Sequence, residues 1–373
     1  MATTVQSSSP NSLESVASNY QYFVQLCDDP TRRDLTLTTS AIILFIIYAI
    51  GIVFQLVVLP ANWRLSEYRS AFLLLLHINI FDLLWLFEYV WLSFEFIVGT
   101  RLPVKYSLDA FLFRFVNFCI DIFSIELAFN RCLAILFPRL YNVICNKNYQ
   151  VIVDRAETAG TKLFCLINMK VCVTCTYLLS IAYAIYTNWF PERRPFHCLV
   201  QLGYFEPMSS IQKTVTSLLP DSVLYDAVQI AYVVSICAPF FLYGITVLKM
   251  FLDFRHKHTT PSTVQVAFVL PVGGGGQRNK EDRAKFVNLM RERTRLFSLC
   301  LVSQVPYYAS HALYQSARFF QLNENTVQLL AIFWQLHGTI FHVQQPILML
   351  LLSRDLRALV RNDLAYFWNL LRG

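Results

Sequence analysis

Apolar residues run along this chain in seven blocks, at 38–60, 71–95, 107–135, 168–190, 224–250, 295–317 and 326–352. Each is long enough to cross a hydrocarbon core of about 30 Å at about 1.5 Å per residue. The blocks are continuous rather than alternating, so they predict helices and not the strands of a membrane barrel. Beyond the last block, Leu356, Leu359, Val360, Leu364, Phe367, Trp368 and Leu371 form one apolar stripe among Arg354, Arg357, Arg361 and Arg372. That pattern predicts an amphipathic helix lying in a membrane interface, held by aromatic burial and by anionic lipid. The expected fold class is an all-α membrane protein, a seven-transmembrane helix bundle with an amphipathic eighth helix at the inner leaflet. The expected divisions are a tail at 1–37, the bundle at 38–352 and the interfacial helix at 353–373.

Composition agrees: 55% of the 373 residues are hydrophobic, 15% aromatic and only 15% charged, which is not the make-up of a soluble domain. Charge supplies the orientation. With the tail outside, the outer segments hold eight Lys and Arg and the inner ones 22, with Arg114 inside the third span. The positive-inside rule therefore places the N-terminus outside and the C-terminus in the cytosol. The tail is Ser-rich with no apolar core, so no cleaved signal peptide is expected. On this topology only Cys27 and Cys198, of the ten cysteines, face outward. A Cys27–Cys198 disulfide and two unpaired thiols are both open readings.

Polar residues within the spans narrow the chemistry. The second span carries Asn79 and Asp82, and a carboxylate at mid-membrane costs about 2.5–3.5 kcal/mol on insertion scales unless it faces a polar interior. The third has Arg114, Asn117, Asp121, Ser124, Ala128 and Arg131 at 3,4,3,4,3 spacing, one helix face. The seventh has Gln335, Gly338, His342, Gln345 and Met349 at 3,4,3,4. Asn79, Asp82, Asp121 and His342 make a candidate intramembrane polar or cation site, with a purely structural hydrogen-bond network the competing reading. The Gly273–Gly276 run lacks the spacing of a phosphate loop and reads as flexible linker within the inner loop 251–294.

The segment Glu126–Tyr141, ELAFNRCLAILFPRLY, carries a family resemblance. Arg131, Ala134, Ile135, Pro138 and Tyr141 sit at the spacing of the Asp-Arg-Tyr segment that ends the third helix of rhodopsin-like G-protein-coupled receptors, with Asn130 and Cys132 departing from it. Asp82 resembles the second-helix aspartate, Pro239 and Pro306 the fifth- and sixth-helix prolines, and Gln345-Pro346 the Asn-Pro-x-x-Tyr box, with Met349 in place of its tyrosine. The chain lacks the Gly-Asn pair of the first span, where Gly51-Ile52 stands, and the fourth-span tryptophan. Such loosened motifs resemble divergent nematode chemosensory or peptide receptors.

The resemblance implies a receptor in the plasma membrane that passes a small-molecule or short-peptide signal to a heterotrimeric G protein. Arg131 would face the G protein, with Asn130, Pro138, Tyr141, Pro239, Pro306, Gln345 and Pro346 forming the activation switch. A ligand pocket is expected among Phe113, Asn117, Tyr307, Tyr308, His311, Trp334 and Gln335, each of which, taken singly, is more often packing. Phe113 stands where amine receptors place an aspartate, which disfavours a biogenic amine. A transporter or channel using the intramembrane carboxylates is the alternative, although no repeated half is visible. No metal or nucleophile motif points to an enzyme, and no cofactor or nucleic-acid partner is expected.

Overall fold

The computed structural model describes residues 35–67, 70–99, 106–137, 141, 169–188, 237–252, 294–295, 297–310, 312–313 and 324–372. Cys27, Cys198, Pro138 and His311 lie outside these, as do most of the tail and of the inner loop 251–294, and the side chains of Trp334 and Gln335 are likewise not described. Among the described residues the elements are α1 (Leu35–Ser66), α2 (Ser70–Val98), α3 (Tyr106–Leu136), α4 (Met169–Asn188), α5 (Cys237–Leu252), α6 (297–310), α7 (Glu324–Leu352) and α8 (Arg354–Arg372). All are helices, and no strand occurs among them.

Contacts run in sequence from α1 to α2, α2 to α3 and α3 to α4, and α7 returns to α1 and α2. Tyr243 of α5 packs on Phe297 of α6 and donates to Gln304 Oε1 at 2.6 Å. The Tyr307 ring of α6 stacks on Phe341 of α7 at 4.5 Å, and Gln344 of α7 donates to the Ser303 carbonyl at 3.3 Å. The bundle therefore closes through α6 and α7 back onto α1.

What faces in and out is the reverse of a soluble protein. Gln55, Asn79, Asp82, Asp121, Ser124, Asn130, Arg131, Gln304, His342 and Gln345 are buried, whereas Ile43, Val53, Leu178, Phe241, Ile245 and Leu248 are exposed. That distribution suits a bundle whose surroundings are hydrocarbon and whose polar groups must find one another.

The prolines at 60 and 346 lie inside α1 and α7, which continue through them. Gly99, at φ 78°, ends α2 in the left-handed conformation, with its N–H on the Glu95 carbonyl at 2.9 Å. α8 leaves α7 through Ser353, whose Oγ accepts the Leu356 N–H at 3.3 Å and caps the new helix. Arg357 folds back to donate to the carbonyls of Leu350, at 3.0 Å, and Leu351, and Arg64 of α1 pairs with Asp363. The stripe on α8 divides accordingly: Leu356 and Val360 are buried, while Leu364, Phe367 and Trp368 are exposed.

At Gly51, α1 packs tightly against α2 and α7. A Cβ there would stand 3.0 Å from Val343 Cγ2 and 3.2 Å from Leu86 Cδ1. Gly51→Leu should lower stability by about 1–3 kcal/mol through overpacking, and Gly51→Ala by less, because the touching atoms are the ends of side chains. Thermal unfolding in lipid nanodiscs measures both; equal stability of Gly51→Leu and parent would contradict this packing.

Candidate functional site

A buried polar centre is built on Asp82, which α2 turns inward together with Asn79, three residues before it. Asp82 is wholly buried and His342 of α7 is 1% exposed. His342 Nδ1 lies 2.7 Å from Asp82 Oδ1, and Gln55 Nε2 of α1 donates to Asp82 Oδ2 at 3.4 Å and to the His342 carbonyl at 3.3 Å. Three helices are thus tied at one carboxylate. The Trp85 ring stacks on the imidazole at 4.0 Å, and Tyr48 reaches Thr339 at 3.4 Å beside it.

Below this centre, Asn62 and Asn79 both direct their amide N–H groups at the Met349 sulfur, at 3.8 Å each. Met349 stands where the resemblance has a tyrosine, so its thioether receives donors as a weak acceptor. The side-chain oxygens of Gln55, Asn62, Asn79 and Gln345 are buried with no hydrogen-bond partner. A continuous amide-lined seam therefore runs between α1, α2 and α7 from Asp82 to Met349.

Asp121 belongs to a different centre. Tyr308 of α6 donates to Asp121 Oδ1 at 3.4 Å, both residues being buried. Of the four residues expected at the intramembrane site, Asp82, His342 and Asn79 come together, whereas Asp121 is held from α6.

At the other end of α3, Arg131 is 3% exposed. Its Nη2 donates to Asn130 Oδ1 and approaches Tyr141 OH at 3.5 Å, while its Nε has no partner. Asn130 in turn donates to Ser70 Oγ at 3.2 Å, and Ser70 Oγ lies 3.4 Å from Tyr141 OH. Ser70, Asn130, Arg131 and Tyr141 form a closed polar square between the start of α2 and the end of α3. Of the switch prolines, Pro239, Pro306 and Pro346 lie within α5, α6 and α7.

The residues expected to line a ligand pocket divide. Tyr307 and Tyr308 are buried in α6, with their rings 5.1 Å apart. Phe113 of α3 lies 6.4 Å from Tyr89, whereas Asn117 donates to the Phe113 carbonyl of its own helix at 2.7 Å. Aromatic rings connect these levels: Phe113 meets Tyr89, Tyr89 stacks on Trp85 at 3.8 Å, Trp85 on His342, and His342 meets Tyr307 at 6.2 Å.

Sequence reasoning missed Gln55, Tyr48, Ser70 and the pair His77–Tyr177. Gln55 lies one turn after Gly51, so the amide absent at Ile52 is supplied from the next turn of the same face. His77 Nδ1 meets Tyr177 OH at 2.8 Å and the imidazole stacks on Phe123 at 5.1 Å, joining α2, α3 and α4 where no tryptophan is present. The legible signal was a polar residue repeating at helical spacing on an otherwise apolar face; its partner was not legible.

The crystal structure of squid rhodopsin is similar to this chain, with a TM-score of 0.50 and 12% identity, over 90% of this chain and 87% of that one. No family model and no curated protein matches the sequence. The fold is thus the rhodopsin-like seven-transmembrane bundle, as the spans and the ordered motifs led us to expect.

Proposed function

We propose that the chain is a plasma-membrane receptor that transmits an extracellular small-molecule or short-peptide signal to a heterotrimeric G protein, with its N-terminus outside. The observation that carries this reading is Arg131, a guanidinium 3% exposed at the inner end of α3 and held by the Asn130 amide oxygen and the Tyr141 hydroxyl. A buried cation of this kind is costly to keep for structure alone. It is suited to release toward a partner when α6 moves at Pro306, as rigid-body and hinge transitions permit. Loosened motifs favour a chemosensory receptor of the nematode type over a hormone receptor. The exposed aromatic end of α8 lies on the inner leaflet, where Leu364, Phe367 and Trp368 enter the acyl boundary.

Signal entry is assigned to the outer part of the bundle around Phe113, Asn117, Tyr307 and Tyr308. The ring contacts from Phe113 to His342 give this region a packed connection to the Asp82 centre.

The polar square yields a specific expectation. Asn130 gives Arg131 a neutral acceptor where a carboxylate would bind about 1 kcal/mol more strongly. Asn130→Asp should therefore lower ligand-free signalling roughly fivefold. Sensors for each G-protein class, read without ligand at matched surface expression, measure this. Equal signal from Asn130→Asp and parent counts against Asn130 as the loosened restraint.

A further inference from the structure

We propose that Tyr141 is a phosphorylation site, at which a phosphoryl group on the phenol is clasped by the buried guanidinium of Arg131 and locks the inner end of α3. The lock rests on the geometry of the polar square. Access to it rests on the orientation proposed above, which puts that end in the cytosol, where nucleoside triphosphate is present.

The square holds a cation without an anion. Arg131 is 3% exposed, and among the described residues its hydrogen-bond partners are Asn130 Oδ1 and the Tyr141 hydroxyl, both neutral. Its Nε is buried with no partner. A guanidinium presents its donors as a planar fork that matches two oxygens of one phosphate. Here one donor of the fork is unused, and another lies 3.5 Å from the phenol oxygen that would carry the phosphoryl group. A phosphate oxygen attached through phosphorus to that phenol comes within hydrogen-bond reach of the same nitrogen. Ser70 Oγ, 3.4 Å from the phenol oxygen, supplies a further donor from α2.

Of the two hydroxyls in the square, exposure selects one. Ser70 is 1% exposed at the start of α2, whereas Tyr141 is half-buried and directly precedes the inner segment 142–168. Transfer forms a bond from Tyr141 Oη to the γ-phosphorus of a nucleoside triphosphate and breaks the bond from that phosphorus to the departing diphosphate. The phenolic proton passes to a base of the kinase. The product carries a charge of about −1.5 to −2 at pH 7. Arg131 then exchanges a neutral amide for charge-assisted bonds about twice as strong, and is withdrawn from any outside partner.

The full-length chain in maltoside micelles, which carry no phosphorus, tests this after treatment with a soluble tyrosine kinase domain and magnesium ATP. Peptide mass spectrometry should place phosphate on Tyr141, and phosphorus NMR should show a resonance that Tyr141→Phe lacks. An unconstrained tyrosine phosphate takes up its second proton at about pH 6. The Tyr141 resonance should titrate at about pH 5 or below, because the adjacent cation favours the dianion, and should return to about 6 in Arg131→Gln. The phosphoprotein digested to peptides supplies the same reference should that variant not fold. Absence of phosphate from Tyr141 overturns the proposal, and so does a midpoint equal in the folded chain and the reference. In cells, blocking tyrosine phosphatases should lower the ligand-free signal of the parent roughly tenfold, with no such fall in Tyr141→Phe. A lowered midpoint without that loss of signal upholds the lock and overturns the G-protein reading instead.

Discussion

Arg131→Ala should remove at least about tenfold of the ligand-free signal, a change of about 1.4 kcal/mol, while leaving the bundle folded. The stability cost is expected to be small because the square does not collapse without the guanidinium: Asn130 keeps Ser70 at 3.2 Å, and Ser70 keeps Tyr141 at 3.4 Å. What is lost is a buried positive charge whose Nε has no partner and whose remaining bonds are to neutral groups. Such a charge contributes little to holding the fold, and in the proposed receptor it would be available to a partner's carbonyl or carboxylate groups if α6 swings away. The experiment compares parent and Arg131→Ala across sensors for each G-protein class, with surface expression as the control for folding. Equal signals would mean that Arg131 is only a core cation, and solute flux through the bundle would become the better reading. A transporter predicts the opposite separation, since its flux should depend on Asp82 and not on the inner end of α3.

The seven spans were legible because each needs only a local property, a run of apolar residues of sufficient length. α2, predicted over 71–95, occupies Ser70–Val98, and α3, predicted over 107–135, occupies Tyr106–Leu136. Inward faces were legible for the same reason: the 3,4 spacing on α3 and α7 needs only the helical period, and Asp121, Ser124, Arg131, His342, Gln345 and Met349 are all buried. Partners were not legible. His342 meets Asp82 across 260 positions, and Gln55 meets the His342 carbonyl across 287. Such pairings depend on how far each helix is rotated and shifted along its neighbour, which no property of one segment fixes. The two acids Asp82 and Asp121 illustrate this: both face inward, yet one is met by α7 and α1 and the other by α6. Where the resemblance pointed to missing groups, the neighbouring turn or a different residue type restored the tie, as Gln55 does after Gly51 and His77 with Tyr177 between α2 and α4.

His342→Ala should destabilise the bundle by about 3–5 kcal/mol, the cost of leaving one member of a buried pair without the other. Three losses coincide at that position. Asp82 keeps only the longer bond from Gln55, at 3.4 Å. Trp85 loses one of the rings stacked on it, at 4.0 Å, and Tyr307 loses one ring neighbour, at 6.2 Å. Of the amides in the seam, Gln55 already donates to Asp82, and the N–H groups of Asn62 and Asn79 are directed at the Met349 sulfur. Combining Asp82→Asn with His342→Gln should cost much less than the two single changes added, because an amide at each position leaves no uncompensated charge. The thermodynamic cycle of Asp82→Asn, His342→Gln and the double variant therefore yields a coupling energy of about 1–3 kcal/mol. A coupling near zero would mean that α2 and α7 are held by packing alone. In that case Gly51, pressed against Leu86 of α2 and Val343 of α7, would be the true fastening of the three helices. A coupling in the expected range instead makes the pair a two-state element between α2 and α7. It stands four residues before Pro346, where an applied signal can shift α7 without unfolding the bundle.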